Sequence, residues 1–206
     1  MNELDFSAFL VSRVCHDLVS PLGAVVNGLE VLEDERDPAM RADALKIVAS
    51  SAAQALARIQ FMRIAFGAAG SAGAELDLSE VGRLMTGLFS GSKIALEWDV
   101  GHVHWPKDWA KLLMNATVVA ADCLPRGGAI KVAIGADPAV PSFRIHASGS
   151  HARVLEEVEK AVRGEVTSGA TDARGVQPLL THKLARTLNA GLTVTAGEGT
   201  IDIAAG

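Results

Sequence analysis

The sequence predicts an α+β protein in which a hairpin of two long N-terminal helices precedes an α/β sandwich. Three observations support this fold class. Apolar or small residues recur at alternating steps of four and three through residues 1–66, which is the spacing of a helical seam. Residues 67–75 are nearly all Gly, Ala or Ser, a composition typical of a linker. Residues 76–206 then alternate helical and strand-like patterns.

The composition excludes several classes of protein. Hydrophobic residues make up 49% of the 206 residues and aromatic residues only 4%, so the core is built mainly from Ala, Val and Leu. A net charge of −5 without a cluster of Lys and Arg argues against nucleic acid as a partner. Two cysteines, Cys15 and Cys123, form no disulfide framework. We find no signal peptide and no stretch approaching the ~20 apolar residues that cross a bilayer. We therefore expect a cytoplasmic protein without a membrane partner.

The hairpin is predicted from two runs of the seam. The first run is Leu4, Ala8, Val11, Cys15, Leu18, Leu22, Val25, Leu29 and Leu32, and the second is Leu45, Val48, Ala52, Ala55, Ile59, Met62 and Phe66. A charged stretch separates them, with Pro38 as the stop of the first helix. A lone hairpin cannot cover both of its apolar sides. We therefore expect a homodimer, in which two hairpins form a four-helix bundle and the seam, with Cys15, is buried.

The second part reads as one sheet covered by helices. Helices are predicted over 76–89, with Ser79 as the N-cap, and over 106–124, 151–163 and 178–189. Strands are predicted over 93–100, 127–136 and 141–148, followed by a hairpin over 192–203.

Chemistry is most plausible on the first helix, at His16. An exposed imidazole is substantially neutral near pH 7, and the neighbouring Asp17 can orient one ring nitrogen and stabilise positive charge on the ring. Pro21 cannot donate to the carbonyl oxygen of Asp17, so we expect it to loosen the helix one turn later. The residues that share the helical face with His16 are Arg13, Ser20, Gly23 and Asn27.

The segment that begins at His16 reads His-Asp-x-x-Ser-Pro. It resembles the phosphoacceptor box H-[ED]-x-x-[STN]-P of sensor histidine kinases, which lies on the first helix of a dimerising hairpin. Residues 111–132 resemble the N-box of the kinase ATP-binding (Bergerat) domain, and Asn115 matches its first asparagine. The second asparagine, which holds Mg²⁺ in the family, falls on Val119, and a nearby basic position falls on Asp122. Valine offers no oxygen to a hard cation.

The other nucleotide boxes depart further from the kinases. Where the family carries D-x-G-x-G, Ala147 replaces the aspartate that reads adenine, and His151 replaces the last glycine. The segment 174–186, which corresponds to the glycine-rich lid, keeps Gly175 but no glycine pair. Transfer from ATP needs Mg²⁺ and positioned donors around the phosphates. We therefore expect no ATP-driven autophosphorylation, no cofactor and no metal site.

A phosphoacceptor hairpin joined to a degenerate ATPase-like domain is similar to the ChpT-type histidine phosphotransferases of alphaproteobacteria, on the segments 16–30, 125–128 and 176–178. The resemblance implies that His16, assisted by Asp17, accepts phosphate from the receiver domain of a hybrid histidine kinase (CckA-like). It implies delivery to response regulators (CtrA-like and CpdR-like) in cell-cycle control, with Mg²⁺ supplied by the receivers. Arg13, Ser20, Gly23 and Asn27 would bind these partners.

Two other functions remain open from sequence. The chain could be an ATP-dependent sensor-type kinase, against which Val119 and Ala147 argue. It could also be a non-catalytic dimeric scaffold that binds response regulators. Phosphatase activity toward receivers would use the same face of the first helix.

Overall fold

The two N-terminal helices form a hairpin. The computed structural model describes residues 2–67, 74–137, 139–165 and 175–206, except the side chain of Glu157. Helix α1 spans Glu3–Asp34 and helix α2 spans Pro38–Ala65. The predicted stop at Pro38 is displaced, because α1 ends at Asp34, four residues earlier, and Pro38 begins α2. A proline fits there because the first helical residue needs no backbone donor.

Small side chains allow the two helices to pack closely. Gly28 of α1 and Ala44, Ser51 and Ala55 of α2 are all buried. A Cβ atom on Gly28 would lie 2.6 Å from Cγ2 of Val48, which is closer than any unstrained contact. The crossing of α1 and α2 therefore depends on a glycine at this position.

The hairpin also carries large apolar side chains that the chain itself leaves exposed. We call these residues the outer apolar stripe: Val11, Leu22 and Leu29 of α1, with Leu45, Leu56 and Ile59 of α2. Each is between 48% and 62% exposed. Cys15, which lies among them, is exposed as well, so the expected burial of this cysteine is not met within one chain.

By length and composition alone, α1 is apolar enough to cross a membrane, with a mean hydropathy of 1.4 over 18 residues. The expectation that no segment approaches this limit is therefore wrong for α1. The signal is weak evidence for a membrane span, because the seam of a helical bundle passes the same test. The same helix carries His16 and Asp17 on a polar side.

The rest of the chain forms a two-layer sandwich. Its strands are β1 (Glu75–Asp77), β2 (Ile94–Asp99), β3 (His104–Pro106), β4 (Gly128–Ile134), β5 (Phe143–Ser148), β6 (Thr193–Gly197) and β7 (Thr200–Ala205). Its helices are α3 (Leu78–Phe89), α4 (Lys107–Asp122), α5 (Glu156–Val162) and α6 (Val176–Thr187). The five-stranded sheet has the order β2-β4-β5-β7-β6, with β2 and β4 parallel and the other pairs antiparallel. Strands β1 and β3 pair separately. The α+β fold class is confirmed.

Several predicted boundaries move in the structure. Helix α3 begins at Leu78, and its N-cap is Asp77 rather than Ser79, because the Asp77 carboxylate accepts from the backbone N–H of Ser79 at 2.8 Å. Helix α5 begins at Glu156, five residues later than predicted. The three-residue strands β1 and β3 were not predicted, because they are too short for a period-two pattern.

One hydrophobic core joins the hairpin to the sandwich. Helix α4 is buried from Leu112 to Ala120 and lies between the sheet and the end of α2, which contributes Phe61, Met62 and Ala65 to the same core. The hairpin is therefore packed onto the sandwich. Residues 68–73 of the predicted linker lie outside the described residues.

Buried hydrogen bonds also connect the hairpin to the sandwich. The Nδ2 atom of Asn115 donates to the carbonyl oxygens of Lys111, at 2.7 Å, and Ala65, at 3.3 Å. Its Oδ1 atom accepts from Nε2 of Gln177 at 2.6 Å. Asn115 therefore connects α2, α4 and α6.

Candidate active site

The predicted nucleophile lies on the solvent side of α1. The side chain of His16 is 67% exposed, and its Nδ1 atom lies 3.1 Å from Oδ1 of Asp17. An ionised carboxylate can only accept a hydrogen bond. In the neutral imidazole, Nδ1 therefore carries the proton, and Nε2 presents its lone pair to solvent.

Asp17 is itself held by Arg13, one helical turn earlier. The Nε atom of Arg13 donates to Oδ2 of Asp17 at 2.8 Å, and Nη2 lies 3.7 Å from Oδ2 of Asp122 at the end of α4. The Arg13 side chain is only 12% exposed. Arg13, predicted to face a partner, is thus engaged inside the chain, where it orients Asp17.

A residue of α2 donates a hydrogen bond to the backbone of Asp17. Pro21 is buried and cannot donate to the carbonyl oxygen of Asp17, yet α1 continues through it to Asp34. The guanidinium of Arg58 donates to that carbonyl oxygen instead. The expected loosening of the helix is therefore countered by a cation on the neighbouring helix. Pro21 reveals the unpaired carbonyl in the sequence, but no local pattern marks Arg58 as its donor.

The other predicted partner-binding residues share an exposed face with the histidine. We call His16, Ser20, Gly23 and Asn27 the site face, and all four are exposed. A Cβ atom on Gly23 would meet nothing within 4 Å. No bulky side chain therefore covers the surface beside the His16 imidazole at Gly23, so another protein can reach the Nε2 atom.

An open apolar groove runs between α1 and α2 on the side of the outer apolar stripe. Its volume is about 410 Å³, and it is open to solvent. Its lining residues are Val14, Leu18, Ile59, Met62, Arg63, Phe66 and Gly67.

Two of the residues that replace the kinase nucleotide contacts, Val119 and Ala147, are part of the core, and a third, His151, is exposed. Val119 is 1% exposed and Ala147 is fully buried on β5. His151 lies beside the guanidinium of Arg126 at the surface. In the described part of the chain, no three His, Cys, Asp or Glu side chains are grouped as a metal site would require.

Comparison with known proteins identifies the family of this chain. Residues 78–200 match the family model of the histidine phosphotransferase C-terminal domain. Over 203 residues, or 98% of its length, the chain is 37% identical to the protein phosphotransferase ChpT of Brucella abortus (strain 2308), and the match covers 95% of that protein. The chain belongs to the ChpT-type histidine phosphotransferases.

Two solved structures are similar to this phosphotransferase to different degrees. A bacterial phosphotransferase superposes on the whole chain with a TM-score of 0.89 at 35% identity, and the match covers 98% of that structure. The histidine kinase domain of the blue-light activated kinase of Erythrobacter litoralis EL346 gives a TM-score of 0.47 at 12% identity, covering 89% of this chain and 94% of that one.

Proposed function

We propose that this phosphotransferase relays phosphate between aspartates of receiver domains through a phosphohistidine at His16. The observation that supports the proposal is the exposed imidazole whose Nδ1 is held by Asp17, which leaves Nε2 as the free nucleophile. Membership of the phosphotransferase family supports the reaction class.

The chemistry conserves atoms and charge. The lone pair of His16 Nε2 attacks the phosphorus of a receiver aspartyl phosphate in line, the N–P bond forms, and the P–O bond breaks with its electron pair leaving on the aspartate. The imidazole keeps its Nδ1 proton and gains positive charge, which the Asp17 carboxylate stabilises. A second receiver aspartate then attacks the phosphorus, and the ring returns to its neutral form.

The partners dock on the site face. Its small side chains leave space for the loops around a receiver aspartate, which bring Mg²⁺ with them, so the chain itself needs only a nucleophile, its orientation and a docking surface. By family resemblance, the donor is the receiver of a CckA-like hybrid kinase, and the acceptors are CtrA-like and CpdR-like response regulators. We assign the reaction to the cytoplasm.

A second copy of the chain covers the outer apolar stripe in this proposal. Exposing a row of Val, Leu and Ile side chains along two helices is unfavourable in water, and a matching stripe related by a two-fold axis would bury it as a four-helix bundle. Cys15 would then be covered by the second copy.

The relay needs no ATP of its own. Val119 and Ala147 offer no metal ligand and no adenine contact, and Asn115 is engaged by its buried hydrogen bonds. These positions favour a relay over a sensor-type kinase.

Transfer from a ³²P-labelled phosphoreceiver domain tests the proposal. We expect the wild type to gain acid-labile label and pass it to a second receiver, His16→Ala to do neither, and His104→Ala, which changes an exposed histidine on β3, to match the wild type. Undiminished transfer by His16→Ala would overturn the relay. Label from ATP alone would identify a kinase, and receiver binding without label would identify a scaffold.

A further inference from the structure

We infer that Asp122, on the sandwich, is a positioning residue for His16 and acts through Arg13 and Asp17. The inference rests on the proposed function and gives the sandwich a part in the phosphotransfer site. Alternating charges lead from the last residue of α4 to the imidazole. Asp122 Oδ2 lies 3.7 Å from Arg13 Nη2, Arg13 Nε lies 2.8 Å from Asp17 Oδ2, and Asp17 Oδ1 lies 3.1 Å from His16 Nδ1.

The geometry divides the two oxygens of Asp17 between two neighbours. An arginine and a carboxylate readily pair through two parallel hydrogen bonds, which would occupy both carboxylate oxygens. Here Nε of Arg13 donates to Oδ2, and Oδ1 remains with the imidazole. The carboxylate of Asp122 attracts Nη2 from the other side, so it keeps the guanidinium from closing onto Oδ1.

Asp122 lies at an unfavourable position for an acidic residue, the C-terminal end of a helix. The carbonyl end of a helix carries partial negative charge, which disfavours an acid in the last turn. Asp122 is the last residue of α4, and the last turn contains no basic residue. The guanidinium of Arg13 compensates this charge from another part of the chain. A residue that opposes a local preference and is compensated at a distance is expected at functional sites.

The docking of the hairpin fixes the distance between Asp122 and Arg13. On one side, Nζ of Lys183 lies 5.1 Å from the ring centroid of Phe6, which joins α6 to the start of α1. On the other side, the bond from Asn115 to the carbonyl of Ala65 joins α4 to the end of α2. The end of α4 is therefore held beside the site by contacts that do not involve Asp122.

Asp122→Asn tests the inference, because it removes the charge and keeps the shape. Asp108→Asn is the matched control on the exposed first turn of α4, and Asp122→Glu is the conservative rescue. One measurement is the rate at which phosphoramidate labels His16, with P–N cleavage releasing ammonia. The other is the imidazole tautomer ratio from ¹⁵N NMR. Neither involves receiver docking, and a merely structural role would not move the tautomer ratio.

We expect Asp122→Asn to label about two- to fivefold more slowly, the range for a partly exposed ion pair, and to lose part of the Nδ1–H tautomer. Asp108→Asn should match the wild type, and Asp122→Glu should recover most of the rate. In an Arg13→Gln background the effect of Asp122→Asn should disappear. Equal rates and tautomer ratios in Asp122→Asn and Asp108→Asn would overturn the inference. Failure of the wild type to accept phosphate from receivers would overturn the relay alone.

Discussion

The guanidinium of Arg58 on α2 donates a hydrogen bond to the backbone carbonyl oxygen of Asp17 on α1. Pro21, four residues after Asp17, has no N–H with which to close that turn of the helix. Asp17, the residue beside His16, is thus held twice, by Arg13 at its side chain and by Arg58 at its backbone.

Arg58→Gln should destabilise the hairpin at the site. Removal of the charged donor leaves the carbonyl of Asp17 without its partner in a partly buried position, so we expect a loss of about 1–3 kcal/mol in the free energy of unfolding, measured by urea titration. Lys46→Gln, on the exposed side of α2, is the control.

The Arg58 effect should depend on Pro21. In a Pro21→Ala background, the N–H of the new alanine can donate to the carbonyl of Asp17, and the cost of Arg58→Gln should shrink. An equal cost in both backgrounds would show that Arg58 does not act through this carbonyl.

Leu29→Glu should convert the proposed dimer to a monomer. Each copy would bury this leucine, and full burial of a leucine contributes about 1.5–3 kcal/mol, so a charge there on both copies opposes association strongly. Analytical ultracentrifugation measures the outcome. Val140→Glu, an exposed apolar residue outside the outer apolar stripe, should leave the mass unchanged. A wild type that sediments as a monomer would contradict the bundle.

Two glycines on α1 should respond oppositely to alanine. Gly28→Ala places a methyl group 2.6 Å from Cγ2 of Val48, so we expect a destabilisation of about 1–3 kcal/mol. Gly23→Ala meets open space and gains helix propensity, so it should stabilise by about 0.5–1 kcal/mol. Thermal unfolding followed by circular dichroism distinguishes the two. A neutral Gly28→Ala would show that the helices can move apart there.

The cap of α3 should make stability depend on pH. Hydrogen bonds from the backbone and hydroxyl of Ser79, and then His102, lower the pKa of Asp77 from 3.8 to about 2. Because the folded pKa is the lower one, the cap contributes fully above pH 3.8, and its contribution is lost as pH falls toward 2. Asp77→Ala should therefore have a lower Tm than the wild type near neutral pH. The difference in Tm should disappear as the pH is lowered from 3.8 to about 2. A constant difference down to pH 2 would contradict the assignment.

The two long helices and the exposed position of His16 were predicted correctly, because both depend on local spacing. The seam of 1–66 indicates two helices wherever their partners lie, and the helical face of His16 follows from spacing along α1. The short strands β1 and β3 were not predicted, because three residues are too few to show an alternating pattern.

The supporting residues could not be predicted in the same way. Arg58 is 41 residues from the carbonyl it holds, and Asp122 meets Arg13 only through the docking of the hairpin on the sandwich. Pro21 predicted that the carbonyl of Asp17 receives no bond from its own helix, but only tertiary packing brings Arg58 to it.

The hydrogen bonds of Asn115 bear on whether a kinase could be rebuilt from this chain. Val119→Asn and Ala147→Asp would introduce the residue types of the kinases, but they would insert polar groups into a packed interior. Asn115 would still be hydrogen-bonded to Ala65 and Gln177. We expect such a double reversal to unfold the sandwich before it gains a nucleotide. Nucleotide binding could therefore not be introduced at these two positions alone, because Asn115 already joins α2, α4 and α6 through its buried hydrogen bonds.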